Sequence, residues 1–290
     1  MEKKPLCWYN IILIPLIHAI GLGGGISYMI FIQFSWATIM LALTWFVFCG
    51  LSITGGYHRL FTHKSYEALW PVRLFFLMFG AASAQGSVEQ WVSTHRQHHV
   101  ADRPDSGVED PHDIKRGFWY AHIGWLFWKM PEVNDRYVAH LRQDPLAQWQ
   151  TKHYGGMMVF WGFVLPGFIA MSWGDAAGGL LVAGFLRTVV QWHITWCINS
   201  VSHYFGENTF MRPDQSRNNY WYAKMLISLG EAYHSFHHEF EWDYRNGWKW
   251  WHLDPTKWVI AALNKVGLTT GLKAASPKAV NDALQKAQKR

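Results

Sequence analysis

Between Lys4 and Arg59 the chain carries no lysine or arginine, and an interval that long and that apolar leaves little choice of solvent. The hydrocarbon core of a bilayer needs about 20 apolar residues of helix. Four stretches come near that length, roughly 9–31, 34–54, 155–173 and 176–201. Gly21-Leu-Gly-Gly-Gly25 interrupts the first and offers a tight turn before the second. Arg187 is the one basic residue of 26 that lies outside the N-terminus, the 55–154 segment and the C-terminal third. Basic segments stay on the cytoplasmic side, so the termini and the central segment are expected there. Composition agrees: 17% of residues are aromatic and only 16% charged, against about 25% charged in an ordinary soluble domain. A mean hydropathy of −0.06 still requires a substantial soluble portion.

Several function classes drop out at this level. Cys7, Cys49 and Cys197 are too few and too scattered for a disulfide framework or a thiolate metal site. The net charge of +6 comes from basic residues spread among tryptophans and apolar runs, which fits an anionic membrane surface rather than nucleic acid. The first apolar run lacks a small-residue cleavage site and pairs with a second span, so it does not read as a signal peptide. Leu69 to Ala84 contains Arg73 and is short of a span. It is expected as a helix in or under the cytoplasmic face. Asp254-Pro255 reads as an N-cap with proline at the first helical position, opening an amphipathic, basic helix to about Lys265. Residues 273–290 are polar and are expected as a solvated tail.

The chemistry sits in histidines. Of sixteen, nine fall in four short stretches: His58 and His63; His95, His98 and His99; His203; and His234, His237 and His238. Neutral imidazole ligates iron, zinc, copper and nickel. In a helix, positions i, i+3 and i+4 share one face, so each His-x-x-His-His triplet can aim at one point. His58 and His63 are five apart and cannot point the same way from a regular α-helix. Asn199 lies one turn before His203. Nine imidazoles exceed the capacity of one metal, so two metals are expected. Glutamate ligands of the Glu-x-x-His kind are scarce, which leaves a histidine-dominated site. Carboxylates are then expected behind the rings, accepting their second N–H, with Glu231, Asp110 and Asp113 as candidates.

With Asp110-Pro-His112, His122-Ile-Gly-Trp125 and Asp243-Tyr-Arg-Asn246, this pattern resembles the membrane fatty acyl desaturases of the stearoyl-CoA Δ9 type, from about residue 8 to 272. The resemblance implies an all-α integral membrane protein forming a single desaturase domain. Four transmembrane helices would carry a cytosolic helical cap (55–154 and 202–272) that houses two irons. In a bacterial cell the membrane would be the inner one. Implied metal ligands are His58, His63, His95, His98, His99, His203, His234, His237 and His238, with Asn199 acting through water. Implied acyl-chain contacts are Gln85, Trp91, Thr195 and Trp196.

The implied reaction is O2-dependent insertion of a cis double bond, Δ9 in register, into a saturated acyl chain. Unactivated C–H bonds are beyond side-chain acid–base chemistry, so the oxidant must come from metal and O2. No Gly-x-Gly-x-x-Gly or heme-attachment motif is present, so electrons are expected from a separate ferredoxin-like or cytochrome b5-like donor. Ser93 and Thr94 stand where animal members have an Arg-Asp pair for the head group, while Lys115 and Arg116 keep a basic pair. Thioester (CoA or acyl carrier protein) and glycerolipid substrates therefore stay open. Ala232, Ser235 and Glu241 replace Gly, Asn and Pro of the family's third cluster, a route to altered regiochemistry or outcome. Two alternatives remain: a related di-iron hydroxylase or decarboxylase, and a non-enzymatic membrane metal or heme protein; bis-histidine heme ligation would place single histidines inside facing spans, whereas only His18 and His193 lie well within spans.

Overall fold

The computed structural model describes residues 5–32, 35–103 and 105–289. Phe34, the expected start of the second apolar stretch, and Arg290, the end of the tail, lie outside them. The chain is mostly helical, with one short antiparallel pairing of Glu67–Ala68 with Thr269–Thr270. It divides into two compact units interleaved along the sequence: Met1–Ile53, Leu74–Trp91 and Leu126–His193, and Thr54–Arg73, Val92–Trp125 and Ile194–Arg290.

Among the described residues, three helices are long and apolar enough to cross a membrane: Trp8–Phe31, Trp36–Thr62 and Pro145–Trp173. The fourth expected stretch is helical over 176–204, but Arg187, Gln191, His193 and Asn199 dilute its apolar character and it falls short of that mark. The glycine run is not a turn. The first helix continues through it as a π-helical segment, Ala19–Gly25. A Cβ on Gly21 would stand 3.0 Å from the Phe185 carbonyl oxygen, and one on Gly25 3.0 Å from that of Leu181. These glycines serve close backbone approach. The chain leaves helix only at Ile32, which is extended, and Ser35 caps the next helix by accepting from Ala37 N. The third helix begins ten residues before its expected start, because Asp144 accepts from Leu146 N and Ala147 N and Pro145 fits the first turn.

Two polar clasps hold this first unit. Asp175 accepts from Tyr28 Oη at 2.5 Å, Ser35 N at 3.3 Å and Gly178 N at 3.0 Å, and from the Thr38 hydroxyl. Arg187 is 4% exposed and binds carbonyls: Gly162 O at 2.9 Å, Ala183 O at 3.1 Å and Ala82 O at 3.2 Å. Gly162 lies in the π-helical segment Phe160–Val164, where the changed hydrogen-bond period frees carbonyls that an apolar interior cannot solvate. Around these clasps pack Leu41, Trp45, Cys49, Phe79, Ala82, Ala170 and Ala183.

In the second unit, Phe236 and Phe240 of the third histidine cluster pack with Phe210, Ala275 and Val280. Asp254 caps Pro255–Lys265 as read from sequence, accepting from Lys257 N. The 273–290 segment departs from expectation. Pro277–Gln288 is a helix capped by Ser276, with Val280 and Ala287 buried. Val280, Ala283, Leu284 and Ala287 recur at helical spacing among polar residues, giving one apolar stripe.

Arg187→Met should destabilise the detergent-solubilised protein by roughly 3 kcal/mol or more, since buried carbonyls left without donors cost about 1–3 kcal/mol each. An unchanged midpoint of thermal unfolding would contradict this account of the clasp.

Candidate metal centre

All nine histidines lie in the second unit and separate into two groups. His58, His63, His95, His99 and His237 offer ring nitrogens within 4.8 Å of one another, and so do His98, His203, His234 and His238. The local cause differs by cluster. His95, His98 and His99 share a face of Val88–Ala101, and His234, His237 and His238 a face of His234–Glu239. The five-residue gap is met by a π-helix, Ser52–Thr62. Its hydrogen bonds join i to i+5, and His63 N donates to His58 O at 3.1 Å. The spacing that an α-helix could not use is thus the one this segment requires.

The polarity of the rings is set from behind. His58 Nδ1 lies 2.8 Å from Glu231 Oε2, His98 Nδ1 3.0 Å from Asp110 Oδ2 and His99 Nδ1 3.1 Å from Glu241 Oε2. His238 Nδ1 lies 2.9 Å from Asp102 Oδ2, and His203 Nδ1 donates to Asp214 O at 3.1 Å. Carboxylates and carbonyls only accept, so these Nδ1 atoms carry protons and the Nε2 atoms are the ones that face inward. Those inward nitrogens nearly touch. His237 Nε2 lies 3.0 Å from both His58 Nε2 and His99 Nε2, and His234 Nε2 lies 3.0 Å from both His203 Nε2 and His238 Nε2. One N–H cannot serve acceptors on both sides. His98 Nε2 is buried with no hydrogen-bond partner among the described residues.

A cation resolves that surplus of lone pairs. Ligands about 2.1 Å from a metal stand about 3.0 Å apart at right angles and about 3.4 Å apart at tetrahedral angles. The observed edges of 3.0–3.1 Å match the right-angled case. Imidazole donors suit first-row transition ions. The residues present therefore fit such ions in both groups.

Burial, reinforced by neighbouring rings, holds His63, His95, His99, His234 and His237 well below the usual imidazole range. They are neutral at pH 7, the form that ligates. For His98, burial opposes protonation but Asp110 and Asp102 outweigh it, pushing the ring up to about 10. His238 is raised for the same reason, by Asp214 and Asp102 against burial.

Of the carboxylates anticipated from sequence, Glu231 lies behind His58 and Asp110 behind His98. Asp113 does not; it caps a turn by accepting from Lys115 N at 2.8 Å. Asp102, Asp214 and Glu241 were not anticipated as acceptors. Asp102 could have been found, four residues after His98 on the same helix face, whereas nothing local marks Asp214. Arg59 was also missed: fully buried, it donates to Glu231 Oε1 at 2.9 Å and to both Asp254 oxygens at 3.1 Å. Gly230 has φ +101°, and a Cβ there would collide with the Asp254 carboxylate, so only glycine lets that carboxylate reach Arg59.

Asn199 is half-buried on Arg187–Tyr204, one turn before His203. Gln85 and Trp91 belong to the first unit, Thr195 and Trp196 to the second. Arg116 stacks on Tyr120 at 3.8 Å and pairs with Glu109 at 3.6 Å. Lys115 lines a cavity of about 430 Å³ together with His98, Asp110 and His203.

Metal uptake by the stripped chain should release protons at pH 7, because His98 must give up the inward proton it holds without a cation. Apparent affinity should rise with pH toward about 10, the level to which His98 is pushed. A pH indicator in weakly buffered solution reads this; proton-neutral uptake would contradict it.

Comparison with known proteins agrees with the geometry. Residues 34–270 match the family model for fatty acid desaturase. "Acyl-CoA desaturase 1" of Saccharomyces cerevisiae is 39% identical over 98% of the chain, which spans only about half of that protein (55%). "sn-1 stearoyl-lipid 9-desaturase" of Anabaena variabilis is 34% identical over 95% of the chain and 97% of its own length. "Stearoyl-CoA desaturase 5" of Homo sapiens is 31% identical over 95% of the chain and 83% of its own length. With the matched region covering most of its length and two cation-ready histidine groups within it, the chain belongs to the fatty acid desaturase family.

Proposed function

We propose that the chain is an O2-dependent acyl desaturase that places a cis double bond at Δ9 of a saturated chain, with His58, His63, His95, His99 and His237 holding one iron and His98, His203, His234 and His238 the other. Asn199 completes the second group through water. The observation that carries this reading is the pair of inward-facing imidazole groups at right-angled spacing, inside a chain of this family. Two irons held there supply the O2-derived oxidant that unactivated C–H bonds require. The balance is one methylene pair, one O2, two electrons and two protons in, one alkene and two waters out.

The protein's own part is positional. Glu231, Asp110, Glu241, Asp102 and Asp214 fix the tautomer and aim of the rings, as acceptors behind metal-binding histidines do. Gln85, Trp91, Thr195 and Trp196 contact the acyl chain and hold one methylene pair in register. Lys115 and Arg116 meet an anionic head group; Lys115 supports this by its place in the lining of the 430 Å³ cavity. The similar proteins named above include both CoA-thioester and lipid desaturases, and either head group is compatible with that pair. Electrons come from a separate ferredoxin-like or cytochrome b5-like protein.

The three apolar helices, with outward-facing residues such as Trp8, Ile12, Ile30, Phe31 and Phe168 more than half exposed, fit a membrane protein. In the topology proposed here 176–201 is the fourth span. Both termini and the segments 55–154 and 202–272 face the cytoplasm, as the basic residues require. The heme alternative loses its footing. His18 Nε2 and His193 Nε2 are 3.1 Å apart, whereas two rings on opposite sides of one iron need about 4 Å.

Expression with an active donor system, followed by fatty acid profiling, tests the assignment. The wild-type chain should yield a new monounsaturated acid with its double bond at C9, and His98→Ala should abolish it. Hydroxy acids or shortened hydrocarbons instead would assign the related hydroxylase or decarboxylase chemistry.

A further inference from the structure

We infer that Glu241 is a positioning residue peculiar to this chain's site, whose negative charge, delivered through His99, sets how firmly the first histidine group keeps its cation. The inference rests on the reading of these histidines as iron ligands and deepens it. Glu241 stands where the family's third cluster has proline, a residue that can neither accept a hydrogen bond through its side chain nor carry charge. Here the side chain turns back so that Oε2 lies 3.1 Å from His99 Nδ1.

Two features separate Glu241 from the other carboxylates behind the rings. Its side chain is 38% exposed, while those of Glu231, Asp110, Asp102 and Asp214 are 9%, 16%, 8% and 0% exposed. It also lines a cavity of about 560 Å³ that reaches His99 of one group and His238 of the other, bordered by Arg103 and Lys286. Its remaining oxygen, Oε1, lies 3.6 Å from Arg103 NH2. The Arg103 side chain is 63% exposed, and a water-exposed pair of that kind is too weak to neutralise the carboxylate.

The physical effect follows from the hydrogen bond. A carboxylate that accepts Nδ1–H makes the ring a stronger donor at Nε2 and places a negative charge one ring away from the cation. Losing such an acceptor costs about 10–100-fold in metal affinity. Proline at this position would leave His99 to find another acceptor.

Purified iron-loaded protein, challenged with a strong Fe2+ chelator, tests this without reference to turnover. Glu241→Gln keeps the volume and an acceptor oxygen but removes the charge. It should release one of two irons at least about tenfold faster than wild type, with the other unchanged, and the midpoint potential of the centre should rise. Glu241→Asp, which keeps the charge, should retain both. Arg103→Ala should retain iron at the wild-type rate or longer. A Glu241→Gln protein that holds both irons as wild type does overturns the inference. So does loss from Glu241→Asp or Arg103→Ala as fast as from Glu241→Gln, since surface integrity rather than charge would then matter. A wild-type chain that holds no iron would instead overturn the reading of the site itself.

Discussion

Lone pairs crowded against lone pairs are the constraint on which the second unit depends. Inward nitrogens of different histidines sit 3.0–3.1 Å apart, and the outward nitrogens of His58, His98, His99, His203 and His238 face acceptors that cannot donate. Without a cation, such an arrangement of largely buried rings repels itself. With one, the same repulsion becomes ligation. Metal affinity, ring tautomer and local fold are therefore one problem in this unit, because the elements that bear the rings are short and are positioned by what stands behind them.

What stands behind them is a buried network of charge. Glu231 joins His58 to Arg59, and Asp254 joins Arg59 to the cap of Pro255–Lys265 and to Asn246 N and Gly247 N. Removing one member of a buried ion pair leaves the partner uncompensated, a larger cost than the pair's net worth. The same logic governs the first unit at smaller scale. Arg187 has carbonyls rather than a carboxylate for partners, and it supplies donors where π-helical turns have freed acceptors. In both units, departures from α-helical hydrogen bonding mark the places where a special side chain is needed.

Much of this was legible beforehand, and the failures have physical causes. The i, i+3, i+4 spacing of His95, His98 and His99 fixes a shared face once that segment is helical, so candidate ligands could be named without coordinates. The Gly21–Gly25 run was misjudged because glycine serves two ends, turns and close helix approach, and a single sequence does not say which. The Pro277–Gln288 helix was missed because its apolar stripe, Val280, Ala283, Leu284 and Ala287, is short and diluted by the polar residues around it. Asp214 gave no signal because its partners, His203 and His238, are brought to it only by folding.

The sequence by itself determined which residues could ligate, that they are too many for one metal, and that apolar runs of membrane length flank them, since composition and helical period are local properties. Tertiary structure alone decided the division of nine imidazoles into five and four, the π-helical turn that makes a five-residue gap productive, and which carboxylate orients which ring. Those depend on atoms far apart in the chain meeting within about 3 Å, and no local periodicity encodes such a meeting.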